Sequence, residues 1–347
     1  MWIIGVDLHA RQQSISMLNT DTGEVIDKTL KHEGQIVREF YAALPQPVLV
    51  GLEATGSMYW FLALLEELGI SYQVGHPAEI RNAESRKQKY DRRDAQLIRR
   101  LLAEGRFPSI WLPSVEQRDL RTLLLHRAQL VRLHVMTQNG LQALALSQGL
   151  RRGPSLWSRA GQGALQSLAL PAYATARREE LQQLRQQLQQ RVTALDRQVS
   201  EQAQQRAVAR LLMSHPGVGP ITALATELFL GDAHRFANGK AVASYVGMIP
   251  SERSSGRRQR LGALSKQGRP LLRFLWVEAA RHAVRQDPRL KMFYRRKLVQ
   301  KGLGKAIVAA ARKLGIRLWI MMRDQIDYQE FCRRQIVRKA VSPCGNA

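Results

Sequence analysis

The stretch Lys89-Tyr-Asp-Arg-Arg-Asp-Ala-Gln-Leu-Ile-Arg-Arg-Leu-Leu102 sets two carboxylates, Asp91 and Asp94, three residues apart at the start of a predicted helix. Residues at i and i+3 share a helix face, so both acids point the same way. Lys87, Lys89, Arg92 and Arg93 surround them, a setting that suits a negatively charged polymer passing close by, with Arg92 and Arg93 as phosphate contacts. Taken alone, an Asp-x-x-Asp pair reads more simply as first-turn acids that offset the helix macrodipole among solvated bases. Two acids upstream shift that balance. Asp7 lies at the end of the apolar run Trp2-Ile-Ile-Gly-Val-Asp-Leu8, and Glu53 closes Pro47-Val-Leu-Val-Gly-Leu-Glu53. A carboxylate facing a core is costly unless it is paired, hydrogen-bonded or bound to a metal. Together the four are hard oxygen donors suited to Mg²⁺ or Mn²⁺, cations that hold and polarise a phosphate.

Around these acids the pattern alternates. Residues 2–8, 13–18 and 24–30 are three β-rich runs separated by turn residues, which predicts an antiparallel meander. A helix over 35–44, a strand over 47–53, a helix over 58–68 and a strand over 70–75 follow before the Asp91/Asp94 helix. The order β-β-β-α-β-α-β-α is that of an RNase H-like sheet.

Composition bounds what such a sheet serves. The 347 residues suffice for two or three domains with their own cores, and 45% hydrophobic content excludes a disordered tail. With 53 Lys and Arg against 28 Asp and Glu, the formal charge is +25 and the pI near 11.0. That excess is spread along the chain and predicts a polyanionic partner, most plausibly nucleic acid. Cys332 and Cys344 lie near the C-terminus without a zinc pattern, which argues against a disulfide framework or structural metal and fits a reducing cytoplasm. The N-terminus has no basic segment before its short apolar run, and no apolar stretch approaches a membrane span, so a soluble protein is expected.

From Ser114 the texture changes. Residues 115–148 are rich in Leu, Arg and Gln, and Leu181, Leu184, Leu188, Val192, Leu195 and Val199 draw one apolar stripe along a long helix. Periodicity alone allows two partners for that stripe, a helix of another chain or the 115–148 helix of the same chain. Further on, His215-Pro-Gly-Val-Gly-Pro220 between two short helical runs resembles a helix-hairpin-helix element, whose glycines Gly217 and Gly219 would turn backbone N–H groups toward a phosphate. An ordinary helix-helix turn uses the same residues.

The segment 250–273 then combines Ser254, Ser255 and Ser265 with Arg253, Arg257, Arg258, Arg260, Lys266 and Arg269, against the single acid Glu252. Arginine forks match phosphate oxygens and balance charge as a hydroxyl attacks phosphorus. A basic loop that merely clamps a nucleic-acid backbone has the same composition. Helices are predicted over 271–285, 288–300 and 305–323, apolar on one face and basic on the other, followed by a basic, disordered tail over 331–347.

Gly5-Val-Asp7, Gly51-Leu-Glu53-Ala-Thr-Gly56 and Lys89-Tyr-Asp91-Arg-Arg-Asp94-Ala resemble the three motifs of the RuvC-like domain in DEDD transposases of the insertion-sequence 110 family, which includes Piv-type DNA invertases. Ala243-Ser-Tyr-Val-Gly-Met-Ile-Pro250 and Leu264-Ser-Lys-Gln-Gly-Arg-Pro-Leu-Leu-Arg273 resemble the family's C-terminal domain. The resemblance implies a RuvC-like α/β domain over 1–106, a helical coiled-coil connector over 107–206 and a mostly α transposase domain over 207–330. It implies that Asp7, Glu53, Asp91 and Asp94 hold the divalent metal, and that the nucleophilic serine is Ser255, with Ser254 adjacent. It tilts the apolar stripe toward an intermolecular coiled coil. It further implies donor and target duplex DNA as partners, an element-encoded guide RNA, a homodimer assembling to a tetramer, and a cytoplasmic, nucleoid-associated protein. The expected activity is cutting and rejoining DNA through a phosphoserine ester. A Piv-like invertase and a RuvC-like hydrolytic nuclease, which would need no serine, are the alternatives, and a non-catalytic binder would need neither serine nor acids.

Overall fold

The computed structural model describes residues 1–84, 91–150, 156–252 and 260–341, with the backbone alone at 91, 92, 261 and 335–341. It divides into two units, Met1–Leu112 and Pro113–Ala347.

In the first unit the antiparallel meander forms as predicted from β1 (Trp2–Leu8), β2 (Gln12–Asn19) and β3 (Val25–Lys31). Helix α1 (Ile36–Ala42) leads to β4 (Val48–Glu53), which pairs parallel to β1; α2 (Tyr59–Glu67) leads to β5 (Ser71–Gly75), parallel to β4. The sheet order is β3-β2-β1-β4-β5. A short helix that the sequence reading lacked, α3 (Pro77–Asn82), precedes α4 (Asp91–Ala103).

Strand alternation sorts the sheet's two faces. Ile4, Val6, Leu8, Val50 and Leu52 lie under Tyr41 of α1 and Phe61, Leu62 and Leu65 of α2. Ile3 and Leu49 face the other way, toward Leu97, Ile98 and Leu101 of α4. Each fully buried large side chain contributes roughly 1.5–3 kcal/mol, so α4 is held by its apolar stripe and its polar face is left to carry acids and bases.

The second unit opens on α5 (Val115–Ser147), started by a Ser114/Gln117 capping box, followed by α6 (Arg159–Gln166) and α7 (Ala172–Gln205). Helices α5 and α7 pack on each other along their length. Leu188 and Val192 meet Leu130, Leu181 packs in the cluster of Leu141 and Leu165, and Val199 joins Leu124 in the main core. The apolar stripe therefore packs on α5 of the same chain, one of the two partners that periodicity allows; Leu184 alone in that stripe is exposed. The physical reason is that a period of three to four demands an apolar partner without specifying whose, and α5 carries one at the right spacing.

The rest of the unit is built round α9. Helix α8 (Ala207–Met213) and the turn 214–219 lead into α9 (Pro220–Leu230), buried at every residue from Thr222 to Leu230. Helix α10 (Gly239–Tyr245), a two-stranded antiparallel pair β6 (Pro250–Glu252) and β7 (Leu261–Leu264), α11 (Pro270–Gln286), α12 (Pro288–Asp324) and α13 (Tyr328–Val341) complete it. Trp276 of α11 is fully buried and donates to Thr226 Oγ1 at 3.0 Å, and Trp319 of α12 donates to the Ala233 carbonyl at 2.8 Å. Arg206 ties Glu116 to Glu227, fixing the base of the long hairpin to α9.

One expectation changes here. The tail expected to be disordered from residue 331 carries α13, anchored by Phe331 in the core. The helices predicted over 288–300 and 305–323 both form, as the two halves of α12 on either side of a non-helical break at Gly302, where φ is 73° and ψ 172°. Asp287 meets Arg317 and Lys313 lies over Phe293, so the two halves of α12 run back along each other as a hairpin.

Candidate functional site

The first site is assembled by two glycines. Gly5 and Gly51 are opposite each other in the β1–β4 register. A Cβ on Gly5 would lie 2.1 Å from the Ala95 carbonyl oxygen and 2.4 Å from the Arg99 nitrogen; one on Gly51 would lie 2.3 Å from Leu102 Cδ1. Only hydrogen at both positions lets α4 settle on the sheet. Two residues beyond each glycine, and so on the same face, stand Asp7 and Glu53 at the C-terminal ends of adjacent parallel strands. Asp94 immediately precedes the Ala95 that touches Gly5. Asp7, Glu53 and Asp94 thus come from three elements that pack on one another, β1, β4 and α4.

Asp7 is mostly buried, with His9 Nε2 3.0 Å from its Oδ2. Sequence reasoning missed His9; its position two residues after Asp7 in Asp7-Leu-His9 was the available signal. Glu53 and Asp94 are half-buried. Arg99 donates to Ser16 Oγ at 3.0 Å and Gln96 to Asp27 Oδ2 at 2.6 Å, which lock α4 laterally onto β2 and β3. The donor set is all carboxylate and suits a hard divalent cation, although among the described residues no three side chains stand close enough to hold a metal. Asp91 begins α4, but its side chain, like that of Arg92, lies outside the described residues. Arg93 is exposed.

In the second unit the serine segment is flanked by a β-hairpin that sequence reading took for an open loop. Pro250 pairs with Leu264 and Glu252 with Leu261. Ser254, Ser255, Arg253, Arg257 and Arg258 fall between these strands and lie outside the described residues. Arg260, Lys266 and Arg269 are exposed around the hairpin base. Arg273, whose role the sequence did not suggest, donates through Nη1 to the carbonyls of Val246, Gln267 and Gly268 at 2.8–3.1 Å and so clamps that base to the end of α10. Burial lowers its pKa from the ordinary arginine value.

Gly217 has φ +86°, and a Cβ there would lie 2.5 Å from the Ala283 nitrogen. Its requirement for glycine comes from packing on α11. Gly219 is exposed at the N-terminus of α9. Beneath this turn, His215 and Asp287 are buried with Arg317, with His215 Nε2 3.7 Å from Asp287 Oδ2, and the Tyr328 ring lies 4.5 Å from the His215 ring, tilted by 58° to it.

Residues 4–148, which hold all four acids, match a DEDD-type IS110 model described as a transposase, and residues 209–295 match the transposase IS116/IS110/IS902 family. Over both stretches, then, the chain is similar to insertion-sequence transposases of this family. It is similar to a probable family 20 transposase of Pseudomonas aeruginosa, 29% identical over 342 residues, covering 94% of this chain and 98% of that protein. It is likewise similar to the transposase for insertion sequence element IS1111A of Coxiella burnetii, at 26% identity over 94% of this chain and 91% of that one. A third relative is the transposase for element IS1328 of Yersinia enterocolitica, 24% identical over 82% of this chain and 86% of its own length. A transposase acts on DNA by cleaving and transferring strands. The mixed α/β first unit and mostly helical second unit accord with a DEDD transposase. Among the described residues no helix is long and apolar enough to cross a membrane.

Proposed function

We propose that this transposase is a site-specific DNA recombinase that cuts and rejoins DNA through a phosphoserine ester at Ser255, using a RuvC-like domain whose Asp7, Glu53, Asp91 and Asp94 act on the scissile phosphate. The observation that supports the reading is that Asp7 and Glu53 share the sheet face opened by Gly5 and Gly51, on which α4, the helix bearing Asp94, packs. A bound Mg²⁺ or Mn²⁺ would supply charge to polarise the phosphate and favour the serine alkoxide. In the first step the serine oxygen bonds to phosphorus and a DNA hydroxyl leaves; in the second a different DNA hydroxyl displaces the serine. The phosphodiester's energy is kept in the ester, so rejoining needs no ligase. Arg257 or Arg258 balances the charge that develops on the phosphate oxygens. An RNA from the element's non-coding end directs donor and target choice in this reading, and the protein works as a homodimer that assembles to a tetramer.

Hydrolysis is the second reading, favoured by the match of residues 4–148 to a DEDD domain, since carboxylates alone suffice for a nuclease. Denaturing electrophoresis with labelled DNA separates the two. Wild type and Ser254→Ala should trap a protein–DNA adduct, Ser255→Ala should trap none while still binding DNA, and Asp94→Ala should neither cleave nor form the adduct. Normal cleavage by Ser255→Ala would leave the hydrolytic reading in its place. RNA co-purifying with the protein should be one discrete species from beside the gene; a smear of cellular RNA counts against a guide.

A further inference from the structure

The hairpin of α12 encloses a cleft of about 790 Å³ between its two halves, closed at one side by Phe331 of α13. Its chemistry is divided. Arg289, Arg296 and Arg312 stand round it, none of them in an ion pair among the described residues, and no acidic side chain lines it. Its floor is apolar, with Phe293 half-buried and Met292 69% exposed to solvent. Such an accumulation of unpaired guanidinium groups over exposed apolar surface disfavours the free protein by self-repulsion and unburied area, which points to an anionic occupant with an apolar face.

We propose that this cleft takes an unpaired nucleotide of a single-stranded nucleic acid, its base against Phe293 and Met292 and its flanking phosphates on Arg289, Arg296 and Arg312. The proposal rests on the reading of the chain as a nucleic-acid enzyme and adds a site that the carboxylates and serine segment do not provide. A duplex offers phosphates on a convex surface with its bases stacked inside, so it would engage the basic rim and leave the apolar floor wet. An unstacked base fills both requirements, because every base has a π-face and carries phosphates on either side. The ring of Phe293 already receives a cation: Lys313 Nζ lies 4.4 Å from its centroid. A base competing for that face would displace one long flexible side chain. Gly302 makes the site possible, since its positive φ turns the helix back so that residues at helical spacing on both halves face one cleft.

Fluorescence anisotropy of the full-length protein in EDTA, which removes cleavage from the readout, tests the site. The probes are a labelled 12-nucleotide single-stranded DNA, the same sequence as RNA, and the matching duplex, at two salt concentrations. Phe293→Leu keeps most of the packing volume and removes the π-face; it should weaken single-strand binding by roughly 5- to 150-fold, the span of one lost base stack, with duplex binding changed less than about threefold. Arg296→Glu with Arg312→Glu should weaken single-strand binding at least tenfold and flatten its salt dependence. Preference between the DNA and RNA strands identifies which source supplies the nucleotide. Equal losses for duplex and single strand, no loss in Phe293→Leu, or displacement of the strand by an equal charge of polyglutamate would each overturn the proposal. Because cleavage is measured separately in metal, a protein that binds single strands here and cuts nothing refutes the recombinase reading alone. One that recombines DNA with the Phe293 variant binding normally refutes this site alone.

Discussion

Acid should loosen the joint under the Gly217 turn. His215 is 1% exposed. Burial pushes its imidazole down to about 4, and the Arg317 guanidinium adds to the effect; the Pro216 carbonyl and the Asp287 carboxylate pull the other way and lose. In the unfolded chain the same ring titrates near 6.5. Between these values the unfolded state takes up a proton that the folded state refuses, so stability is complete above pH 6.5 and falls as pH drops toward 4. The gap is worth roughly 3 kcal/mol, most of it lost by pH 4.5. Asp287 acts in a separate window. Burial raises its pKa, but the Leu290 N–H, the Arg317 guanidinium and the Tyr328 hydroxyl outweigh that and hold it below the usual carboxylate range. Its contribution is therefore lost only as pH falls below about 3.8.

Hydrogen exchange read by mass spectrometry on peptides of α11 and α12, corrected for intrinsic rates, reports the opening free energy of this region alone. From pH 7 to 4.5 the wild type should lose roughly 2–3 kcal/mol of protection. His215→Gln can still donate to the Pro216 carbonyl but does not titrate; it should begin about 1 kcal/mol less stable, having lost its packing on Tyr328, and stay nearly flat over the same range. A wild type that changes by less than about 1 kcal/mol, or a Gln variant with an unchanged slope, would show that the buried imidazole does not govern the joint.

Two further substitutions probe the elements on which the function rests. Gly5→Ala places a methyl against the backbone of Ala95 and Arg99, which cannot turn aside, and should cost about 1–3 kcal/mol or more and abolish cleavage while nucleic-acid binding persists; Gly51→Ala meets side chains alone, those of Leu102 and Ile98, and should be milder, as urea unfolding and a cleavage assay would show. Leu188→Glu buries a charge between α5 and α7 and should lower stability by about 3 kcal/mol or more, seen as a loss of helicity on mild heating; a clean change of oligomer mass with the fold intact would favour the intermolecular reading of that stripe.

Much of the first unit was legible because each strand is a short apolar run and each helix a spaced one. Asp7 and Glu53 stood out as acids at the ends of such runs. The role of the glycines two residues before them was not legible, since a glycine in a strand gives no sign of the helix that will press on it. The serine segment showed the converse failure. With three and four residues, β6 and β7 are too short to establish alternation, so a hairpin read as a basic loop. The helix over the supposed tail was hidden by its charge, and Phe331 holds it through a contact that is distant in sequence.

Most of the element order in the first unit, the basic excess, the residue types available for chemistry and the motifs that carry the family resemblance were present in the sequence alone. These are local or additive properties: propensity, period, net charge and neighbouring residue identity. Tertiary structure decided which surfaces meet. It set Gly5 opposite Gly51 and brought α4 onto them, turned the stripe of α7 inward onto α5, and folded α12 back at Gly302 to make a cleft from residues twenty apart. Such choices depend on which of several compatible apolar faces the chain brings together, and a period that fits more than one partner cannot name the one it meets.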